Sequence, residues 1–189
     1  MPKKLSEMGL EELWQLFPII LSEHKGEWTD WYAEESSIIH QLLQKDKCVK
    51  INHIGSTAIK EILAKPTVDI LVEIPTEYNM NEIKRLLVGG GYFLMSEDEK
   101  RMSFNKGYTE KGFADKVFHV HVRFYGDNDE LYFRDFMNEN PTLASQYEEL
   151  KLSLSKRYKH NRDRYTEAKG VFISECTKRA KEKYPKRYL

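Results

Sequence analysis

Residues 67–74, which read TVDILVEI, constrain the fold of this chain more than any other segment. The run is almost wholly apolar apart from Asp69 and Glu73, which is typical of a central strand buried on both faces of a sheet. A lone carboxylate in such a strand is costly unless it is paired, hydrogen-bonded or bound to a metal ion. We therefore predict that Asp69 is a functional residue, whereas Glu73 is close enough to the strand end to reach solvent.

The segments around this strand predict an α/β or α+β fold in one domain, residues 1–189. Apolar residues at helical spacing alternate along the chain with segments of strand periodicity. Residues 1–30 read as an N-terminal packing arm, and residues 128–189 read as a helical C-terminal extension. Further helices are predicted at 31–45, 57–64, 80–89 and 131–138, and further strands at 49–54, 92–95, 101–105 and 116–124.

The charge of the chain is uneven although its formal net charge is +0. Residues 155–189 contain twelve Lys or Arg and only four acids, whereas the rest of the chain is acidic. A basic end attracts phosphate-bearing ligands or nucleic acid. A solvated helix face is the commoner explanation of a charge run, so nucleic acid is only a weak candidate partner.

Composition also limits the cellular setting. No apolar run reaches the roughly 18 residues of a membrane-spanning helix, and no signal-sequence core follows the N-terminus. We expect a cytoplasmic protein without a membrane partner, while its oligomeric state stays open. Cys48 and Cys176 are far apart in the sequence, form no CxxC pair and are expected to be buried thiols.

The turn after the strand at 49–54 is a candidate phosphate site. Gly55 would let the backbone bend tightly and approach a ligand, and Ser56 or Thr57 would cap the following helix. The N-terminus of such a helix presents N–H groups that suit a phosphate. The alternative is an ordinary strand-to-helix turn with a capping Ser, which the short motif does not exclude.

A pair of histidines on the strand at 116–124 is a candidate metal site. Strand alternation places His119 and His121 on one face, where two imidazoles could ligate one metal ion. The alternative is a pair of hydrogen-bonded or surface histidines. Together with Asp69 on a neighbouring strand, the pair predicts a metal site with the ligands Asp69, His119 and His121.

These motifs resemble those of the GrpB family along nearly the whole chain. The resemblance rests on HIGST, AKP and DIL within residues 53–71, and continues in GGGYF, RMSFNKG and FHVHVRF. It extends through LYFRDFMNENPTLASQYEELKLSL and TEAKGVFI in the C-terminal half. The GrpB family is itself similar to the nucleotidyltransferase superfamily. The resemblance therefore implies a nucleotidyltransferase-like mixed β-sheet flanked by helices.

The resemblance also implies roles for individual residues. Gly55 and Ser56 match the superfamily's Gly-Ser turn, and Asp69 matches the first of two metal-binding acids on the next strand. The second acid position is Leu71, and the later-strand acid is replaced by His119 or His121. The implied cofactor is a divalent metal ion, either Mg²⁺, Mn²⁺ or Zn²⁺; the two imidazoles favour a transition ion over Mg²⁺. Cations expected to hold phosphates are Lys65, Arg101, Arg123 and Arg134.

Three functions stay open at this point. The protein could transfer a nucleotidyl group, bind a nucleotide or other phosphorylated small molecule without turnover, or use Asp69 and the histidines as a metal site of another reaction class. The first requires a second carboxylate beside Asp69, from Glu73 or from residues 97–99, because Leu71 cannot serve. We further expect that Asp69 has no partner in the metal-free protein, and that Gly55→Val blocks ligand binding. The helix after the turn should be regular, because Lys60 and Glu61 replace the family's common Pro-Gly.

Overall fold

The computed structural model describes residues 3–43 and 48–188. The last residues of the helix predicted at 31–45 lie outside these ranges. The strands are β1 (Lys50–Ile54), β2 (Val68–Ile74), β3 (Phe93–Glu97), β4 (Arg101–Thr109) and β5 (Gly112–Phe124). The helices are α1 (Leu10–Leu16), α2 (Glu27–Leu42), α3 (Met80–Gly89), α4 (Asp129–Glu139), α5 (Pro141–Arg157), α6 (Arg162–Ala168) and α7 (Gly170–Lys183), with short 3-10 helices at Leu5–Glu7 and Ser56–Ala58.

The strands form one mixed sheet in the order β1-β2-β5-β4-β3. Strand β2 pairs with β5 in parallel, and the other pairs are antiparallel. The chain crosses from β2 to β5 through α3 and the β3–β4 hairpin. The predicted mixed α/β fold is thus confirmed, with the TVDILVEI strand inside the sheet.

One face of the sheet is apolar and covered by helices. Ile70, Val72, Val120 and Val122 are fully buried and belong to a cluster that includes Trp28 of α2. Helix α3 adds further apolar residues to the same cluster. Full burial of each such side chain stabilises the fold by about 1.5–3 kcal/mol, so this face fixes the register of the sheet.

The opposite face carries a band of polar residues. Strand alternation places the odd-numbered positions of β2 and β5 on it. Cross-strand pairing then aligns three rows across β2, β5 and β4, which are Asp69–His119–Asn105, Leu71–His121–Ser103 and Glu73–Arg123–Arg101. The expectation that His119 and His121 share a face with Asp69 is confirmed.

Helices α4 to α7 pack beyond this polar face. Of these, α4, α5 and α7 share a second apolar cluster, which includes Phe133, Met137 and Tyr147. Part of the basic C-terminal charge is neutralised by acids of α4, since Lys181 pairs with Asp129. Two more pairs of this kind are Lys183–Glu139 and Arg187–Asp135.

None of the helices in the described residues is long and apolar enough to cross a membrane.

The prediction of a helix at 57–64 is wrong. Only a three-residue 3-10 helix forms, and Glu61 adopts a left-handed conformation with φ of 59°. Side chains from later helices bind the backbone here in place of helical hydrogen bonds. Asn138 accepts from the Lys60 N–H at 2.9 Å and donates to the Ala58 carbonyl at 3.0 Å, while Glu148 of α5 accepts from the Leu63 N–H.

Two smaller expectations are also wrong. Glu73 does not reach solvent, because α4 and the turn before it cover the end of β2. It is 2% exposed and accepts a hydrogen bond from the Asn128 side chain at 2.9 Å. Cys48 is exposed, since it lies before β1 in the connection from α2, whereas Cys176 is buried on α7 as expected.

Candidate functional site

Asp69 lies near the start of β2, where the sheet opens toward α6 and α7. It is paired with Ile54 on one side and with His119 on the other. Its Oδ1 lies 3.0 Å from Nδ1 of His119 and 3.6 Å from Nε2 of His121, and its side chain is 25% exposed. The expectation of an Asp69 without a partner is therefore wrong, because the neighbouring strand supplies two imidazoles.

The protonation states follow from this contact. Burial alone would raise the pKa of Asp69, but hydrogen bonds from His119 and His121 outweigh it and hold the pKa well below its usual range. Burial lowers the pKa of His119 to about 4, with Asp69 opposing the change. At neutral pH the pair is therefore an ionised carboxylate and a neutral imidazole whose Nδ1–H donates to it.

The other nitrogen of each imidazole is also engaged. Nε2 of His119 lies 2.8 Å from the Tyr108 hydroxyl, which donates to it when Nδ1 carries the proton. Nδ1 of His121 lies 3.3 Å from the Ser103 hydroxyl. A chain of hydrogen bonds thus runs from Tyr108 through His119 to Asp69.

Gly55 is required by Asp69 rather than by a ligand. Its φ is 71°, and a Cβ added there would lie 2.3 Å from Oδ2 of Asp69. The expected loss of ligand binding in Gly55→Val stays a prediction, but any side chain at this position would also displace the Asp69 carboxylate. The close approach that we predicted for Gly55 exists, but its partner is inside the protein.

Three cations surround Asp69 without a carboxylate partner of their own in the described ranges. They are Lys65, Arg162 of α6 and Lys169 in the link to α7, and each has an electrostatic interaction with Asp69 or with one of the others. Burial lowers the pKa of Lys65 and of Lys169 to about 8 in each case. Both remain mostly protonated at neutral pH, so the surroundings of Asp69 have a positive balance.

A cleft of about 860 Å³ opens beside this charge. The turn and the sheet contribute Gly55, Ser56, Asp69 and His121 to its wall, and the opposite wall is α7 with the preceding Lys169. The lining also includes hydroxyl-bearing and apolar side chains of α4 to α7, namely Thr166, Ser174, Thr177, Phe133, Tyr147 and Ile173. Charged side chains of α4 and α7 line it as well, namely Asp129, Glu130, Lys178, Lys181 and Glu182. The cleft therefore offers polar groups at the turn and an apolar wall beside them.

Three other predicted site residues have structural partners. Thr57 is 2% exposed, and its hydroxyl lies 2.9 Å from Nε2 of His53. Arg134 donates to the His53 carbonyl at 2.8 Å and pairs with Asp135. Arg101 makes two hydrogen bonds of 2.7 Å to Asp127. None of the three lines the cleft.

The same holds for Arg123, which was expected to hold phosphate. Its guanidinium donates to the backbone carbonyls of Met102 and Val122 and lies 3.9 Å from Glu130. It is 7% exposed. Arg123 therefore ties β5 to β4 beneath α4.

Sequence reasoning missed Arg162 and Lys169 as individual site residues. Both were counted only within the basic end of the chain, although Lys169 belongs to the quoted motif TEAKGVFI. That motif was the available signal, because a cation inside it is more specific than one within a charge run. Lys65, which was expected to hold phosphate, interacts electrostatically with Asp69 but lines a cavity beside α1 and not the cleft.

Within residues 3–43 and 48–188, no second carboxylate joins Asp69. Leu71 is fully buried against Ile54 and Leu131, and Glu73 is held by Asn128 further along β2. Of residues 97–99, Glu97 pairs with Lys84 and Asp98 binds backbone amides of its own turn. Among the described residues, no group of three or more His, Cys, Asp and Glu side chains could hold a metal ion. Asp69 and its imidazoles therefore do not fit the expected metal cofactor.

Comparison with known proteins identifies the family. The family model of the GrpB protein matches residues 18–179. The chain belongs to the GrpB family. It is 31% identical to the glutamate-rich protein GrpB of Alkalihalophilus pseudofirmus, over 83% of this chain and 92% of that protein. It is also 33% identical to the UPF0157 protein PA4798 of Pseudomonas aeruginosa, over 81% of this chain but only 64% of that protein.

Solved structures show the same fold. The crystal structure of conserved protein GrpB from Enterococcus faecalis matches with a TM-score of 0.74 and 29% identity, covering 87% of this chain and 99% of that one. A structure of the Cid1 poly(U) polymerase bound to MgATP matches with a TM-score of 0.50 and 10% identity, over 78% of this chain and 45% of that one. This GrpB protein therefore has a nucleotidyltransferase-like fold, as the motifs implied.

Proposed function

We propose that this GrpB protein binds a nucleotide or another phosphorylated small molecule in the cleft between the Ser56 turn and α7, without a bound metal ion. The single observation that supports this most is the positive charge around Asp69. Three cations near Asp69 have no carboxylate partner in the part of the chain that the structure describes: Lys169 lines the cleft, while Lys65 and Arg162 line a separate cavity and add to the positive charge. All three side chains are half-buried, and cations withdrawn from water are costly unless an anion accompanies them.

The lining of the cleft suits such a ligand. Lys169 and the Ser56 hydroxyl lie on opposite walls and would contact the phosphates from two sides. The apolar side chains Phe133, Tyr147 and Ile173 would receive the uncharged part of the ligand. A cleft of several hundred Å³ with an apolar wall and a few polar groups is typical of small-molecule sites.

The cations take the part that metal ions take in metal-dependent nucleotide sites. A divalent ion would need several ligands of suitable geometry, and no group of three or more His, Cys, Asp and Glu side chains within residues 3–43 and 48–188 supplies them. The imidazoles already bind Asp69, Tyr108 and Ser103. The proposed binding therefore does not depend on Mg²⁺, Mn²⁺ or Zn²⁺.

The test is titration calorimetry with ATP in the presence of EDTA. Lys169→Met removes one charge-assisted contact, worth about 1.5–3 kcal/mol, so the affinity should fall roughly tenfold to a hundredfold. Lys156→Met is the matched control, because Lys156 is an exposed cation of the same basic segment outside the cleft. Equal losses in both variants would show that only the general basic charge attracts ATP.

Nucleotidyl transfer is the second candidate, supported by the fold and by the position of Asp69 after the Gly-Ser turn. Here Asp69 would orient His119 by binding its Nδ1. The Nε2 atom of His119 would then exchange a proton with the Tyr108 hydroxyl. Pyrophosphate release from a nucleoside triphosphate that disappears in Asp69→Asn would support transfer. Binding of the nucleoside triphosphate without release of pyrophosphate would support the non-catalytic binding function.

A further inference from the structure

A second cavity, separate from the cleft, lies between the N-terminal arm and the exposed side of the β3–β4 hairpin. Its volume is about 750 Å³. Apolar side chains of α1 and β3 form most of its wall, chiefly Leu13, Trp14, Phe93 and Met95. Phe93 and Met95 are 59% and 55% exposed, although the sheet's other face buries its apolar residues. Apolar surface left open in this way is typical of a binding site.

One polar group in this cavity has no partner. Asn105 on β4 is 3% exposed, and its Nδ2 has no hydrogen-bond partner within the described residues. A buried amide that donates to nothing costs about 1–3 kcal/mol. It lies on the same row of the sheet as His119, on the polar face, and it lines the cavity. The Nδ2 group is therefore positioned to donate to an acceptor on a ligand.

Two cations stand at the same cavity. Nζ of Lys65 lies 4.8 Å from the centre of the Phe113 ring and 6.0 Å from that of Tyr108, and Arg162 is at the start of α6. Lys4, Glu110 and Asp163 also line the cavity, but both acids are exposed at its edge. The less exposed charge is therefore positive and lines the same cavity as the unpaired amide.

We propose that this cavity is a binding site for an apolar carboxylate, namely a medium-chain alkyl or aryl carboxylic acid. The carboxylate accepts from Nδ2 of Asn105 and pairs with Lys65 and Arg162. The alkyl or aryl part lies against Trp14, Phe93 and the other apolar side chains. The site shares Lys65 and Arg162 with the positive charge that supports the proposed nucleotide function, but its lining includes neither Lys169 nor Ser56, so Lys169→Met distinguishes the two sites.

The experiment is calorimetric titration with decanoate, with decanol as the uncharged comparison of equal chain length. Lys65→Met should weaken decanoate binding at least tenfold and leave decanol binding unchanged. Lys50→Met is the matched control, since Nζ of Lys50 also lies over an aromatic ring, that of Tyr125, at 4.7 Å. That control should bind decanoate as the wild-type protein does.

Asn105→Leu separates a ligand-binding amide from a structural one. Removing an unpaired buried amide should leave the melting temperature unchanged or raise it, while decanoate binding falls at least tenfold. A marked fall in melting temperature would mean that Asn105 stabilises the fold, and it would overturn the role assigned to its amide. Equal affinity for decanoate and decanol, or no binding of either decanoate or 2-naphthoate, would overturn the site. Lys169→Met should leave decanoate binding intact even if it abolishes ATP binding.

Discussion

Asp69→Asn is the substitution that best separates the structure from the expectation based on sequence. If Asp69 had no partner, its buried charge would destabilise the fold. Removing that charge in Asp69→Asn would then leave the melting temperature unchanged or raise it. The structure instead shows Oδ1 of Asp69 accepting from His119 at 3.0 Å, and Lys65 and Lys169 interact electrostatically with the carboxylate. A hydrogen bond to a charged acceptor contributes about 1.5–3 kcal/mol and a neutral one about 0.5–1.5 kcal/mol. We therefore expect a loss of about 1–1.5 kcal/mol.

For a chain of this size such a loss lowers the melting temperature by roughly 2–6 °C. Thermal unfolding followed by circular dichroism at pH 7.5 measures it, with Asp115→Asn as the control because Asp115 is an exposed carboxylate. A double-mutant cycle with His119→Gln should give a coupling energy of about 1 kcal/mol. An unchanged or higher melting temperature in Asp69→Asn, or a coupling near zero, would refute the hydrogen-bonded pair.

Three further predictions concern stability. Glu61→Gly should raise the melting temperature by roughly 2–8 °C, since Glu61 has φ of 59° and a left-handed residue with a Cβ costs about 1–2 kcal/mol. Glu61→Ala should give no such gain. Asn138→Ala should cost about 1–3 kcal/mol in urea unfolding, because two backbone groups lose their partner. Burial lowers the pKa of His119 and His53 to about 4, so the native state binds fewer protons than the unfolded chain between pH 6.5 and 4. The free energy of unfolding should therefore fall as pH drops through this window, and His53→Gln should flatten the dependence.

The sheet could be predicted from the sequence because its signals are local and strong. The apolar run at 67–74 and the alternation at 116–124 identify β2 and β5, and alternation alone places His119 and His121 on one face. The segment at 57–64 could not be predicted, because its backbone groups are bound by Asn138 and Glu148 from distant helices. No local pattern reports such long-range hydrogen bonds.

Part of the candidate site could also be predicted from local sequence signals. Residues fixed by the turn and the strands, such as Ser56 and Asp69, lie where the motifs placed them. The partners of each side chain depend on packing between distant segments, so Arg101 and Arg134 were assigned to phosphate although they pair with Asp127 and Asp135. Lys169 reaches the cleft only because α6 and α7 fold back over the sheet.

The most direct test of the account is a crystal structure of the protein soaked with a nucleoside triphosphate and Mn²⁺, with anomalous data collected for manganese. The account predicts phosphates in the cleft between Ser56 and Lys169 and no manganese bound to Asp69, His119 or His121. Manganese within bonding distance of Asp69 and either imidazole would contradict it, as would a triphosphate bound outside the cleft.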